Sequence, residues 1–170
     1  MDTQYFLNNP PNCLKPYAIA LPDKFRNADE EFRVRNTIAF GVRCSCGNSA
    51  LSIKGTKEEG ASLFFGCLYI QCPKCSQNNL IFDPSKNGYD GEFHQFKIDY
   101  EGAKQELHRC SRCQGENFEL AVLLEPENGE DGIFDENQKA RLQDFFNSIA
   151  FYAICTNCSN GEWISSVECA

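Results

Sequence analysis

Apolar and polar residues alternate along several short stretches of this chain, which is the pattern of a strand with one buried face. The longest such stretch leads into Arg43, and its apolar positions on one side are Phe32, Val34, Ile38, Phe40 and Val42. Further strands are predicted at residues 50–53, 62–71, 79–82, 118–124, 151–154 and 162–167. The pattern therefore predicts a small β-rich fold made mainly of antiparallel strands.

Three segments depart from this alternation. Residues 1–31 contain four prolines among scattered large apolar residues, which predicts an arm that packs on the domain without regular structure before Pro22. Residues 93–106 form a connecting segment with apolar residues that could pack as a short strand. Asp135 is placed to cap one short helix that ends near Asn147.

Eight of the eleven cysteines fall into four close pairs. The pairs are Cys44 with Cys46, Cys72 with Cys75, Cys110 with Cys113, and Cys155 with Cys158. The later two pairs repeat the flanking residues of the earlier two, because Arg-Cys-Ser opens both halves and Tyr-x-x-Cys-x-x-Cys-Ser closes both. This similarity indicates an internal duplication.

Such pairs have the chemistry of a metal site. Two thiolates on one turn chelate an ion, and a second turn completes the tetrahedral four-cysteine set that Zn²⁺ favours in closed structural sites. The sequence therefore predicts two structural Zn²⁺ ions. The first is held by Cys44, Cys46, Cys72 and Cys75, and the second by Cys110, Cys113, Cys155 and Cys158.

The first pair is separated by a single residue, Ser45, which is shorter than the usual spacing and leaves Cys67 as an alternative ligand. Cys67 faces the same way as Phe65 and Tyr69 on a predicted strand, so core packing is the favoured interpretation. Cys13 is interpreted as a small buried hydrophobic residue.

The two halves resemble tandem zinc ribbons, over residues 38–82 and 107–167. The resemblance implies two small antiparallel units stapled by their four-cysteine sites, with bounds drawn at 32–92 and 107–170. This sequence departs from the common pattern at its short first turn and at the second unit's insertion, where 41 residues separate Cys113 from Cys155. Zinc ribbons occur in transcription factors, polymerase subunits and adaptor or inhibitor proteins, so the resemblance implies a fold more than a task.

Charge narrows the choice of partner. The formal net charge is −8, and each Zn²⁺ with four thiolates would add 2 − 4 = −2. The insertion at residues 125–136 holds six acidic residues and no basic one. A negative field opposes nucleic acid and favours a basic protein partner.

The cysteine usage and the absence of a signal-like start predict a reducing, cytoplasmic setting. No apolar run approaches the roughly 18 residues of a membrane span. The histidines are His94 and His108; neither stands in a catalytic motif, and His108 is interpreted as a surface residue. Sites closed by four thiolates also argue against an enzyme.

These features together predict a non-catalytic zinc-binding protein–protein interaction module, such as an inhibitor or immunity-type binder of a basic partner. The alternative is a nucleic-acid-associated or transcription-related zinc-ribbon protein. That alternative draws on a few basic residues that could share a face of the first unit, namely Arg33, Arg35, Lys54 and Lys57.

Overall fold

A computed structural model of the protein describes residues 8–28, 37–57, 61–87, 104–126 and 146–168. Its strands are β1 (Ala18–Ala20), β2 (Ile38–Val42), β3 (Ser52–Thr56), β4 (Leu68–Gln71), β5 (Asn78–Phe82), β6 (Gln105–Leu107), β7 (Phe118–Pro126), β8 (Phe146–Cys155) and β9 (Gly161–Glu168). The short helices α1 and α2 span Asp23–Ala28 and Pro84–Asn87. No helix in these ranges is long and apolar enough to cross a membrane.

The strands form two antiparallel sheets, which confirms the predicted β-rich class. The first sheet has the order β1-β2-β7-β8-β9, and the second has the order β5-β4-β3-β6. Strand β2 pairs with β7, with Ile38 opposite Leu124, and β6 pairs with β3. Each sheet therefore takes strands from both halves of the sequence.

The alternation seen in the sequence places one face of each sheet in a common core. In β2, Ile38, Phe40 and Val42 are each 2% exposed. They belong to one hydrophobic cluster with the inward residues of the other strands, including Ile53 and Ile70 of the second sheet. An isolated bridge between Leu51 and Phe118 also joins the two sheets.

The prediction of no regular structure before Pro22 is wrong. Strand β1 precedes this proline and pairs with β2, with Ala18 opposite Val42, and Leu14 is fully buried in the core. Proline is tolerated beside a short edge strand because no ladder hydrogen bond is lost there.

The strand predicted at residues 62–71 is shorter than expected, since β4 begins at Leu68. Phe64 leaves that path to cross to the first sheet. Its amide donates to the carbonyl of Ile164 at 2.9 Å, and its ring is 1% exposed. An apolar run thus supplies one strand and one anchor that links the sheets.

The predicted helix falls mainly outside the described residues, as do residues 127–136 of the acidic insertion and 93–103 of the connecting segment. Its expected last turn is wrong, because β8 already begins at Phe146, which lies opposite Pro126 of β7. The cross-strand pairing overrides the helical spacing of the apolar residues there.

Gly55 lies in β3 at a position where a methyl side chain would not fit. A Cβ atom at this position would lie 2.6 Å from Cγ of Phe64 and 2.9 Å from Cδ2 of Leu68. Both neighbours are buried in the core. The glycine therefore lets the Phe64 ring pack directly on the strand backbone.

We expect Gly55→Ala to destabilise the protein by about 1–3 kcal/mol, since the added methyl overpacks the core. Chemical denaturation measures the change. The double variant Gly55→Ala with Phe64→Leu should show a favourable coupling energy between the two substitutions. An unchanged or raised stability in Gly55→Ala would contradict the packing described here.

Candidate metal centres

Four tight turns of one design carry the paired cysteines. In each turn the amide of the first cysteine donates to a carbonyl four or five residues later; these pairs are Cys44 to Asn48, Cys72 to Gln77, Cys110 to Gly115 and Cys155 to Asn160, at 2.8–2.9 Å. The residue after the second cysteine has a positive φ, and these residues are Gly47, Ser76, Gln114 and Ser159. The left-handed residue closes the turn so that both thiols of a pair face the same side.

The turns bring the predicted cysteines together in two sets of four. The first site is Cys44, Cys46, Cys72 and Cys75, and the second site is Cys110, Cys113, Cys155 and Cys158. Within each set all four Sγ atoms lie within 4.8 Å of one another. The cysteines of the described residues are free thiols.

The spacing between sulfurs fits a tetrahedral ion. The Sγ–Sγ distance is 3.5 Å for Cys44 and Cys75 and 3.6 Å for Cys46 and Cys72. In the second site the corresponding pairs are at 3.6 and 3.5 Å. Four sulfurs at ~2.3 Å from an ion stand ~3.8 Å apart. Both sites could therefore hold a metal ion in a closed set of four donors.

The first cysteine of each turn lies in the hydrophobic core. Cys44, Cys72, Cys110 and Cys155 are at most 1% exposed and belong to the one cluster shared by both sheets. Cys46 and Cys113, by contrast, are exposed. Each site thus lies at the rim of the core.

All four turns lie at one end of the two sheets, which we call the turn end. Cys44 follows β2 just beyond Val42, which pairs near the start of β7, and Cys155 lies opposite Phe118 at that start. In the second sheet Ser52 pairs with Gln71, next to Cys72. The Leu51–Phe118 bridge places these ends of the two sheets together.

Hydrogen bonds to sulfur prepare one thiol in each site for ionisation. Burial opposes the thiolate of Cys72, but Asn48 Nδ2 at 3.4 Å and backbone amides outweigh it and lower its pKa to about 6. Burial likewise opposes the thiolate of Cys155, and the amides of Asn157 and Cys158 lower its pKa to about 7. These sulfurs are available as thiolates near neutral pH.

Full ionisation of a site requires a cation. The Gln77 amide favours the thiolate of Cys75, yet burial and the neighbouring sulfurs raise its pKa to about 12. The Gly115 amide likewise favours the thiolate of Cys113. The pKa of Cys113 is nevertheless raised to about 12 by the adjacent Cys158 sulfur, by burial and by the other sulfurs. A bound metal ion would remove this repulsion, so the donor set suits a cation chemically as well as geometrically.

His108 is buried, so its interpretation as a surface residue is wrong. It is 8% exposed, its Nε2 lies 2.8 Å from Oε2 of Glu162, and its ring packs on Phe118 at 4.8 Å between centroids. Its amide donates to the carbonyl of Ile53. His108 therefore links the two sheets beside the second site.

Glu162 ties this histidine to a ligand turn. Its Oε1 accepts from the amide of Ser111 at 2.7 Å, from the Ser111 hydroxyl at 2.6 Å and from Asn160 Nδ2 at 2.8 Å. Sequence reasoning missed this pair. The sequence does contain one signal for this contact, which is position. His108 and Glu162 flank two cysteine turns that one metal ion would join.

The remaining cysteines of the described residues, Cys13 and Cys67, do not join the sites. Cys67 is 8% exposed, and burial followed by the nearby Asp83 carboxylate raises its pKa to about 11. Cys13 packs against the core, and burial raises its pKa to about 11 as well. Cys169 lies outside the described residues.

Comparison of the chain with protein-family models, with curated proteins and with solved structures finds no match.

Removal of one ligand should release one ion and destabilise the whole protein. We expect Cys155→Ser to bind one metal ion per chain instead of two, since its sulfur is essential to the second tetrahedron. The loss of stability should be close to the whole free energy of unfolding, because metal binding at a structural site contributes on the order of 10 kcal/mol to folding. Elemental analysis and thermal unfolding measure both effects.

Cys67→Ser is the matched control, since this buried cysteine is outside both sites. It should retain two ions per chain. Equal metal content in the two variants would contradict the assignment of the second site.

Glu162→Gln should destabilise the protein by about 1–3 kcal/mol at pH 7, because the charged carboxylate accepts several hydrogen bonds. Burial raises the pKa of the Glu162 carboxyl, but Ser111 and His108 lower it by more, so this pKa lies below its ordinary value of 4.5. The folded state therefore favours the ionised form, and this stability is lost as pH falls through the lowered pKa. The difference in the free energy of unfolding between the variant and wild type should shrink below about pH 4.5. A difference that stays constant with pH would contradict this role of the ionised carboxylate.

Proposed function

We propose that this protein is a non-catalytic zinc-binding protein that binds a basic protein partner through acidic segments attached at one end of its sheets. The four-sulfur, tetrahedral donor sets support Zn²⁺ as the ion, since Zn²⁺ favours such closed sites and needs no redox partner. With all four positions taken by thiolates, neither ion has an open position for catalysis.

The segregation of charge along the chain carries the proposal. The described residues hold 11 Lys and Arg and 8 Asp and Glu, which gives 11 − 8 = +3. The whole chain holds 16 Lys and Arg and 24 Asp and Glu. The residues outside the described ranges therefore hold 5 basic and 16 acidic residues, which gives 5 − 16 = −11. The acidity of the protein comes from the connecting segments and not from the sheet framework.

Four of these segments each have at least one attachment point at the end of the sheets away from the candidate metal sites, which we call the far end. The segment before β2 joins at Ile38, opposite Leu124. The one after β3 leaves beyond Thr56, which lies opposite Gln105 at the start of β6. The longest, residues 127–145, leaves at Pro126 and returns at the paired Phe146.

The far end is thus where segments of net negative charge are attached. The segments at residues 29–36, 58–60, 88–103 and 127–145 carry net charges of −1, −2, −3 and −4. Together these amount to −10. Negative charge concentrated in this way favours rapid association with a cationic protein surface.

The alternative function is association with nucleic acid. Four exposed basic residues at the turn end favour it, namely Arg43, Lys74, Arg109 and Arg112. Arg109, however, pairs with Glu116 at 3.1 Å, and two zinc tetrathiolates would add −4 beside these side chains. The turn end is therefore close to neutral in the metal-bound protein, which favours the protein partner.

Charge-neutral substitutions in the 127–145 segment test the proposal. The variant changes Glu127, Glu130, Asp131 and Asp135 to the matching amides, and the probe is a fluorescent oligolysine peptide at low salt. We expect wild type to bind in a salt-sensitive manner and the variant to bind at least about tenfold more weakly, since several charge contacts are lost.

The control removes charge from the framework, with Glu106→Gln and Glu116→Gln, and should bind like wild type. Equal weakening by both sets would contradict the proposal. A parallel titration with DNA and RNA tests the alternative, which salt-sensitive micromolar binding would support.

A further inference from the structure

The two metal sites differ in the side chains that lie against their sulfurs. In the first site Asn48 Nδ2 lies 3.4 Å from Cys72 Sγ and also donates to the carbonyl of Ala50 at 2.7 Å. Gln77 makes the opposite kind of contact, because its Oε1 lies 3.6 Å from Cys44 Sγ and accepts from that thiol. One sulfur of the first site, that of Cys72, thus has a side-chain N–H donor beside it.

The second site has no counterpart to these contacts. Asn48 and Gln77 stand two residues after the second cysteine of their turns, and the equivalent positions in the second site are Gly115 and Asn160. Glycine has no side chain, and Asn160 Nδ2 donates to Glu162 at 2.8 Å. Among the described residues, the side chains bonded to the second-site sulfurs are those of its own cysteines.

This difference changes the reactivity of otherwise equivalent sulfur pairs. Cys46 with Cys72 and Cys113 with Cys155 occupy matching places, at 3.6 and 3.5 Å. An N–H donor draws charge from a thiolate and makes it a weaker nucleophile. The second site lacks that donor, and it has the Glu162 carboxylate beside it on Ser111. Cys155, the counterpart of Cys72, therefore holds more negative charge than Cys72 and is the better nucleophile for closing a disulfide with the neighbouring Cys113.

We infer that the second site is a redox modification site, at which a hydroperoxide oxidises the exposed Cys113 and joins it to Cys155 with release of the metal ion. The inference rests on the metal occupancy proposed above and is independent of the partner.

The reaction balances with hydrogen peroxide as the oxidant. The Cys113 thiolate attacks a peroxide oxygen, the O–O bond breaks, and the departing hydroxide is protonated to water, leaving a sulfenic acid. The Cys155 thiolate then attacks that sulfur, the S–S bond forms, and a second hydroxide leaves and is protonated. Two thiolates lose two electrons in total, the peroxide becomes two waters, and the ion loses two of its four donors.

Metal release during oxidation tests this inference. The full-length protein is first analysed for two ions per chain, then treated with hydrogen peroxide in the presence of a chromogenic chelator. We expect one equivalent to be released about tenfold faster than the other, in line with a lost hydrogen bond to a charged group. Mass mapping should find the first disulfide between Cys113 and Cys155.

Several results would overturn it. Equal release rates, or a first disulfide within the first site, would show that the Asn48 amide does not protect sulfur. A protein without bound metal at the start would instead refute the zinc proposal, so the two failures are distinguishable.

Substitution of the protecting amide gives the second arm. Asn48→Gly copies the second site and should speed release from the first site about tenfold, whereas Asn160→Ala, an asparagine without a sulfur contact, should leave that rate unchanged. Asn48→Ala, which removes the same N–H donor, replaces Asn48→Gly if the latter folds poorly, as judged by circular dichroism. An unchanged first-site rate in the folded variant would overturn the inference.

Discussion

The structure depends on four buried sulfurs that belong at once to a hydrophobic core and to two four-cysteine sets that could hold metal ions. Cys44, Cys72, Cys110 and Cys155 are packed in the same cluster as the inward residues of both sheets. Each of them begins a turn whose second cysteine lies nearer to solvent. An ion at either site would therefore connect turns that are distant in sequence and fix the strands that lead into them. In a chain of this size, a core alone supplies limited stability, so such cross-links matter.

The same arrangement separates the two ends of the molecule. The turn end holds both four-cysteine sets, with His108 and Glu162 bonded beside the second. The far end holds the attachment points of the acidic segments. The described residues have a net charge of +3 without metal, so the net negative charge of the chain belongs to the segments outside them. The two four-cysteine sets and the attachment points of these segments thus lie at opposite ends of the strands.

The features that could be predicted from the sequence are those with a local pattern. Paired cysteines on tight turns indicate a chelating site whatever the topology, and the alternation at Ile38, Phe40 and Val42 correctly predicts the buried face of β2. The pairing of β2 with β7 has no local signal, because it is decided by how the two apolar faces pack. The same is true of Phe64, which leaves its predicted strand to bond with Ile164.

The burial of His108 was hidden for a similar reason. Its partner Glu162 is 54 residues away, and the contact exists only when the two ligand turns of the second site come together. The differences between the sites are local in sequence, at Asn48 and Gly115, but their meaning depends on the distance from each side chain to sulfur. Spacing therefore predicts which cysteines come together in sets that could hold a metal, while geometry is needed to compare the two sets.

X-ray absorption spectroscopy of the purified, unreduced protein, combined with elemental analysis, tests the central claim most directly. The account predicts two zinc ions per chain, each with four sulfur neighbours at ~2.3 Å. A protein without bound metal, or one with nitrogen or oxygen in the first coordination shell or with the eight cysteines joined as disulfides, would contradict it.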